Sequence, residues 1–89
     1  MIYENPNMMT RNKLMKLWHR KIREKTCYCY ICGKLILKHD DLSTDHVVPK
    51  SKGGSNSSDN LKPAHKICNS KKNDKTLEQY LMELHEQTH

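Results

Sequence analysis

Phenylalanine is absent from this 89-residue chain, and apolar residues make up only 35% of it. A chain this short buries a modest fraction of its surface, so a stable fold needs a staple such as a disulfide or a structural metal. No apolar run approaches the roughly 20 residues that span a bilayer. The opening MIYENPNMMTRNK has neither the apolar core of a signal peptide nor a small-residue cleavage site. The expected location is therefore cytoplasmic. There is no internal repeat, and arginine is confined to Arg11, Arg20 and Arg23. That scarcity argues against a protein-interaction module, which would carry exposed arginine or aromatic anchors.

What is present points elsewhere. Four cysteines and six histidines can supply the staple. In a reducing compartment, cysteines two to four residues apart bind metal more often than they pair as disulfides. Sixteen Lys and Arg against ten Asp and Glu give a net charge of +6. Such an excess favours a polyanion, because each neutralised phosphate releases condensed counterions. Charge alone does not choose between DNA, RNA and an acidic membrane.

Along the chain, residues 1–9 read as a flexible tail and 10–89 as one domain. Thr10 can cap a helix running to residue 25, with Leu14, Leu17, Trp18 and Ile22 at helical spacing. Arg11, Lys13, Lys16, Arg20, Lys21, Arg23 and Lys25 cover much of its remaining surface, as a solvated face or as a strip for a DNA backbone. The segment TCYCYICGKLIL is β-prone and interrupted by a knuckle, in which Gly33 permits a left-handed turn after Cys32. A strand is expected over 42–48, ended by Pro49. SKGGSNSSDN reads as a flexible loop within one motif, and LKPAH as a brief edge strand limited by Pro63. A short helix follows through KICNSKK, closed at Asn73. Thr76 and Gln79 match a capping box opening a last helix, whose Leu77, Tyr80, Leu81 and Leu84 are expected to face the core.

Two pairs carry metal-ligand spacing: Cys29-x-x-Cys32 and His65-x-x-Cys68. Zinc favours four sulfur or nitrogen ligands in a tetrahedron, and two such pairs close a structural site with no position left for water. Cys27 lies two residues before Cys29 and could compete for the metal, or be a spare buried thiol. The preferred set is Cys29, Cys32, His65 and Cys68. Folding would then be coupled to the metal, and the clamp would hold the polar residues between its two halves.

Those residues form a recognisable series. Asp45-His46-Val47-Val48-Pro49, then Gly53-Gly54, then Asp59-Asn60-Leu61, then Cys68-Asn69-Ser70-Lys71-Lys72 resembles the signature of the HNH endonucleases. The resemblance spans residues 29–72. It implies an α+β, ββα-metal fold stapled by zinc, with flanking N- and C-terminal helices. It also implies roles: His46 as the general base, Asp45 and Asn69 holding one Mg²⁺ or Mn²⁺, and Asn60 bracing the loop to keep His46 oriented. The family cuts DNA to leave a 3′-hydroxyl and a 5′-phosphate. Two features depart from the usual pattern: Asn69 stands where His is frequent, and His65 where a fourth cysteine is common.

The chemistry is reasonable in its own right. A hard cation on oxygen ligands can offset the charge that builds on a phosphodiester. An imidazole, with an ordinary pKa of about 6.5, is mostly free to accept a proton at neutral pH. In a regular strand Asp45 and His46 point to opposite faces, so they must sit at a strand end or bulge to serve one phosphate. Lys50, Lys52, Lys71 and Lys72 are candidate phosphate contacts, with Lys62 and Lys66 adding to a basic groove. His19, His39, His85 and His89 read as surface residues. The expected partner is DNA, double-stranded, with no membrane. A protein partner could supply specificity, and phage packaging, restriction, mobile elements and repair all remain open as settings. The competing reading is a non-catalytic zinc module that binds nucleic acid. A carboxylate among its phosphate contacts would repel them unless a cation intervened, and that favours the nuclease.

Overall fold

A computed structural model describes residues 10–87. In chain order the elements are α1 (Arg11–Arg23), β1 (Leu42–His46), β2 (Leu61–His65), α2 (Lys66–Lys72) and α3 (Leu77–Gln87), with 3-10 turns at His39–Asp41, Lys50–Lys52 and Ser58–Asn60. The centre is a ββα unit, β1–β2–α2, with a helix on either side of it in sequence, which is the α+β fold expected. The expected tail at residues 1–9, and His89, lie outside the described residues. Among the described residues no helix is long and apolar enough to cross a membrane.

Thr10 opens α1, its side-chain oxygen accepting the Lys13 backbone N–H at 3.3 Å. Leu14, Trp18 and Ile22, spaced by four, are buried, and Leu17 is half-buried. Arg20, Lys21 and Arg23 crowd the last turn, where the helix dipole favours positive charge. The helix stops two residues earlier than its periodicity suggests. Lys25 takes a φ of 58°, and the N–H groups of Lys25 and Thr26 return to the carbonyls of Ile22 and Lys21. That is a Schellman closure without the usual glycine.

The chain then forms the knuckle. Cys29 N–H donates to the Lys34 carbonyl and Gly33 N–H to the Cys29 carbonyl, each at 2.9 Å, while Gly33 adopts the left-handed turn at φ 78°. A bridge pairs Tyr28 with Leu35. Tyr30 N–H donates to the Pro63 carbonyl at 3.1 Å, so the knuckle lies against β2. β1 and β2 run antiparallel, with Leu42 opposite His65 and His46 opposite Leu61. The core gathers Leu14, Trp18, Ile22, Ile31, Ile36, Leu42, Leu61, Ala64 and Tyr80 around this sheet, with Cys27 and Cys29.

β1 ends at His46 rather than at residue 48. Val47 and Val48 are β-prone, and it is at Val48 that the side chain of Asn60 replaces a strand partner. The Asn60 main-chain carbonyl accepts Val47 N–H, and its side chain binds both backbone groups of Val48. The loop that follows is not loose, as its composition suggested. Two 3-10 turns and a left-handed Gly53 (φ 89°) fold it back on Pro49, whose carbonyl accepts the N–H groups of Lys52 and Gly54.

The capping box of α3 forms in both directions: Gln79 N–H donates to Thr76 Oγ1 at 3.1 Å, and Thr76 N–H to Gln79 Oε1 at 3.0 Å. Half of its expected apolar face is core. Tyr80 is buried and Leu77 half-buried, but Leu81 and Leu84 are exposed beside Met82. Periodicity identified the helix correctly, yet it cannot tell whether a neighbour covers the face.

Gly54 packs against backbone. A Cβ there would sit 1.7 Å from the Val48 carbonyl oxygen and 2.9 Å from that of Pro49, whereas one on Gly53 would meet open space. Gly53→Ala is expected to cost about 1–2 kcal/mol for its left-handed backbone. Gly54→Ala should cost more and lower the thermal midpoint by more than about 8 °C. Thermal denaturation followed by circular dichroism checks the order of the two.

Candidate functional site

The knuckle and the β2–α2 junction bring four ligand atoms together. The donors of Cys29, Cys32, His65 and Cys68 all lie within 4.8 Å of one another. Four sulfurs around zinc at about 2.3 Å would be separated by about 3.8 Å, so the cluster is close to the size a tetrahedral ion needs. The tautomer of His65 suits it as well. Its Nε2 lies 3.1 Å from the Leu35 carbonyl, which only accepts, so Nε2 carries the proton. The lone pair on Nδ1 is thereby aimed at Cys32 Sγ, 3.3 Å away, and Cys68 Sγ, 3.9 Å away. Second-partner hydrogen bonds of this kind orient metal-binding histidines generally.

Two of the clamp thiols are shifted in opposite directions. Burial, the charge of Cys29 and the hydrogen-bonded Cys32 push Cys68 up to about 12. For Cys32 burial also acts upward, but hydrogen bonds from the Lys34 backbone and from Cys29 and Cys68 outweigh it and lower the thiol. Cys27 is not part of the cluster: it lies in the core at 1% exposure, and burial raises its pKa. It is the spare buried thiol, not a competing ligand.

The second constellation lies along β1 and its end. Asp45 is buried at 7% exposure, with two donors converging on its Oδ2: the Lys72 ammonium at 3.0 Å and the Tyr30 hydroxyl. Burial and the neighbouring Asp45 carboxylate push the Tyr30 phenol well above the usual tyrosine range, so its hydroxyl remains a donor. Lys72 also donates to the His46 carbonyl at 3.2 Å. Asn69, three residues earlier on the same helical face, donates its amide to Ser43 Oγ at 3.2 Å and to the Thr44 carbonyl at 3.3 Å.

His46, the last residue of β1, is half-buried and points to the other side of the strand. Its Nε2 lies 2.9 Å from Asn56 Oδ1. An amide oxygen only accepts, so Nε2 carries the proton and Nδ1 keeps its lone pair. Asn60 spans the loop just beyond. Its Oδ1 accepts Val48 N–H at 2.9 Å, and its Nδ2 donates to the carbonyls of Val48 at 3.0 Å and Ser55 at 2.8 Å.

The sequence-derived residues thus fall into two groups. The clamp set comes together as a cluster. Asp45, Asn69 and Lys72 meet at the β1–α2 contact, with His46 at the strand end and Asn60 behind it. The phosphate contacts need correction at Lys72, which is fully buried and ion-paired and so cannot reach DNA. Lys50 and Lys71 are exposed, whereas Lys52, also exposed, donates to the Asp74 carbonyl at 2.6 Å and ties the loop to the α2–α3 turn. Tyr30 and Asn56 were missed. The spacing of Lys72 from Asn69 held the signal for its burial; nothing comparable marked Tyr30. His19 and His39 belong to neither group and stack on each other, ring centroids 4.9 Å apart.

Two outcomes follow from this geometry. Lys72→Met leaves the Asp45 carboxylate buried beside no cation and should cost about 3–5 kcal/mol in urea denaturation. Lys71→Met should stay within about 0.5 kcal/mol. At the clamp, Cys68 is protonated at neutral pH in the free protein, so metal uptake must displace that proton. Zinc affinity should therefore fall by about tenfold per proton displaced for each unit the pH is lowered. Competition against a chromophoric chelator at pH 7.5 and 6.5 measures it.

The family pattern described as HNH endonuclease matches residues 29–85, from the first clamp ligand into α3. No curated protein matches the chain significantly. With well over half of its length covered by that pattern, and a Cys/His cluster able to hold zinc at its heart, the chain belongs to the HNH endonuclease family.

Proposed function

We propose that the protein is a metal-dependent endonuclease that hydrolyses phosphodiester bonds of double-stranded DNA, with zinc in the Cys29, Cys32, His65 and Cys68 clamp. The observation that carries this is His46. It ends β1 with its Nε2 proton on Asn56 and its Nδ1 lone pair unspent, one residue from a buried carboxylate, in a chain of this family.

Nδ1 of His46 takes the proton from the attacking water, Asn56 holds the ring, and Asn60 holds the loop that carries Asn56. The water oxygen bonds to phosphorus as the bond to the 3′-oxygen breaks, and the departing 3′-oxyanion takes a proton from solvent, which leaves a 3′-hydroxyl and a 5′-phosphate. Asp45 and Asn69 suit a hard divalent cation, Mg²⁺ or Mn²⁺. Asp45 is engaged through Oδ2 and Asn69 through Nδ2, so each retains Oδ1, the hard oxygen donor such an ion takes. When bound, the cation would offset the charge developing on the phosphate. Lys50 and Lys71, both exposed, are the phosphate contacts, and the exposed Lys62 and Lys66 add to the positive charge of the surface.

The alternative, a zinc-stabilised nucleic-acid-binding module without activity, draws on α1, which carries basic residues on its exposed face and no acidic residue. A supercoiled-plasmid assay separates the two. Nicked or linear product is expected with Mg²⁺ or Mn²⁺ and none with EDTA. His46→Ala should lower the rate by about 10²–10⁴-fold, with zinc content and fold retained. Cleavage by His46→Ala at the wild-type rate would remove the general base. Salt-sensitive binding without any cleavage would instead favour the binding module.

A further inference from the structure

We propose that Tyr30 is a positioning residue for catalysis: seated between two clamp ligands, it fixes the Asp45 carboxylate from the zinc side of the molecule. This role rests on the nuclease reading above and extends it to the coupling between the two sites.

The geometry begins in the knuckle. Tyr30 occupies the interval between Cys29 and Cys32, so its backbone goes wherever the clamp holds those cysteines. Its N–H is anchored on the Pro63 carbonyl in β2, and its half-buried ring packs against the core. From there the hydroxyl reaches across to Asp45 Oδ2. The second donor to that oxygen, Lys72, stands four residues after the clamp ligand Cys68 on α2. Both donors are therefore placed by residues of the clamp, one from each of its halves.

Two donors from different elements do what one cannot. The terminal torsion of an aspartate is broad and roughly two-fold, so a carboxylate held at one point can still swing. Held on Oδ2 by Tyr30 and Lys72 together, it presents Oδ1 in one direction. Lys72 simultaneously holds the His46 carbonyl, which ties the carboxylate to the backbone of the proposed base. The clamp thus reaches the catalytic residues through two side chains. Loss of such an outer partner typically costs about 10–100-fold in metal affinity or activity.

The hydroxyl can be tested apart from the ring, because Tyr30→Phe keeps the packing. Zinc-loaded wild type and Tyr30→Phe would be titrated with Mn²⁺, reading the free ion by electron paramagnetic resonance, and assayed for kcat and KM on supercoiled plasmid. Cobalt-substituted samples would report on the clamp. About tenfold weaker Mn²⁺ binding and a lower kcat are expected, with KM for DNA and the cobalt spectrum unchanged. Mn²⁺ affinity and kcat within twofold of wild type would overturn the role and leave Tyr30 a packing residue. A changed cobalt spectrum would overturn it too, by placing the effect in the clamp itself. Wild type that neither binds Mn²⁺ nor cleaves would remove the nuclease reading and this role with it; wild type that cleaves beside an unaltered variant would remove this role alone.

Discussion

Four side chains from two distant stretches of sequence must meet at one point, and the rest of the molecule is arranged by that requirement. Cys29 and Cys32 come from the knuckle, His65 from the last residue of β2, and Cys68 from the first turn of α2. Their meeting sets the knuckle against the sheet and fixes the angle at which α2 leaves β2 without a connecting loop. A core with no Phe and few large aliphatic residues is poorly placed to enforce these contacts alone. The apolar cluster and the clamp are complementary: α1 and Leu42 pack on one, and the polar half of the fold hangs from the other.

That polar half is organised around a buried charge pair. Asp45 and Lys72 are both removed from solvent, an arrangement that is costly unless each charge finds further partners. They do, in the Tyr30 hydroxyl and the His46 carbonyl. The result is a rigid seat at the end of a strand. On the far side of the strand His46 is held by Asn56, in a loop that Asn60 closes with hydrogen bonds to Val48 and Ser55. One strand residue faces a dry, charged interior and the next faces the open loop.

Much of this was legible in the residues themselves. Ligand spacing marked the clamp, and Thr10 and the Thr76–Gln79 box marked two helix starts. What was not legible depended on partners far away in the chain. Lys71 and Lys72 are alike in composition, and only the helical turn that places residue 72 beside Asn69 separates a surface lysine from a buried one. Val48 is a strand former overruled by the side chain of an asparagine twelve residues on. Leu81 and Leu84 continue the core pattern of Leu77 and Tyr80 but stay exposed, so amphipathicity overstated their burial. Tyr30 looked like filler in a metal knuckle because its partner lies fifteen residues ahead.

One metal ion in the clamp is expected to hold the ββα unit together. The direct measurement is a pair of amide proton–nitrogen correlation spectra, with stoichiometric zinc and after its removal by a chelator, beside the absorption of the cobalt-substituted protein. One metal per chain is expected, with the visible bands of a tetrahedral thiolate-rich cobalt site and collapse of the β1, β2 and α2 resonances when the metal leaves. A dispersed, unchanged spectrum from metal-free protein would contradict it.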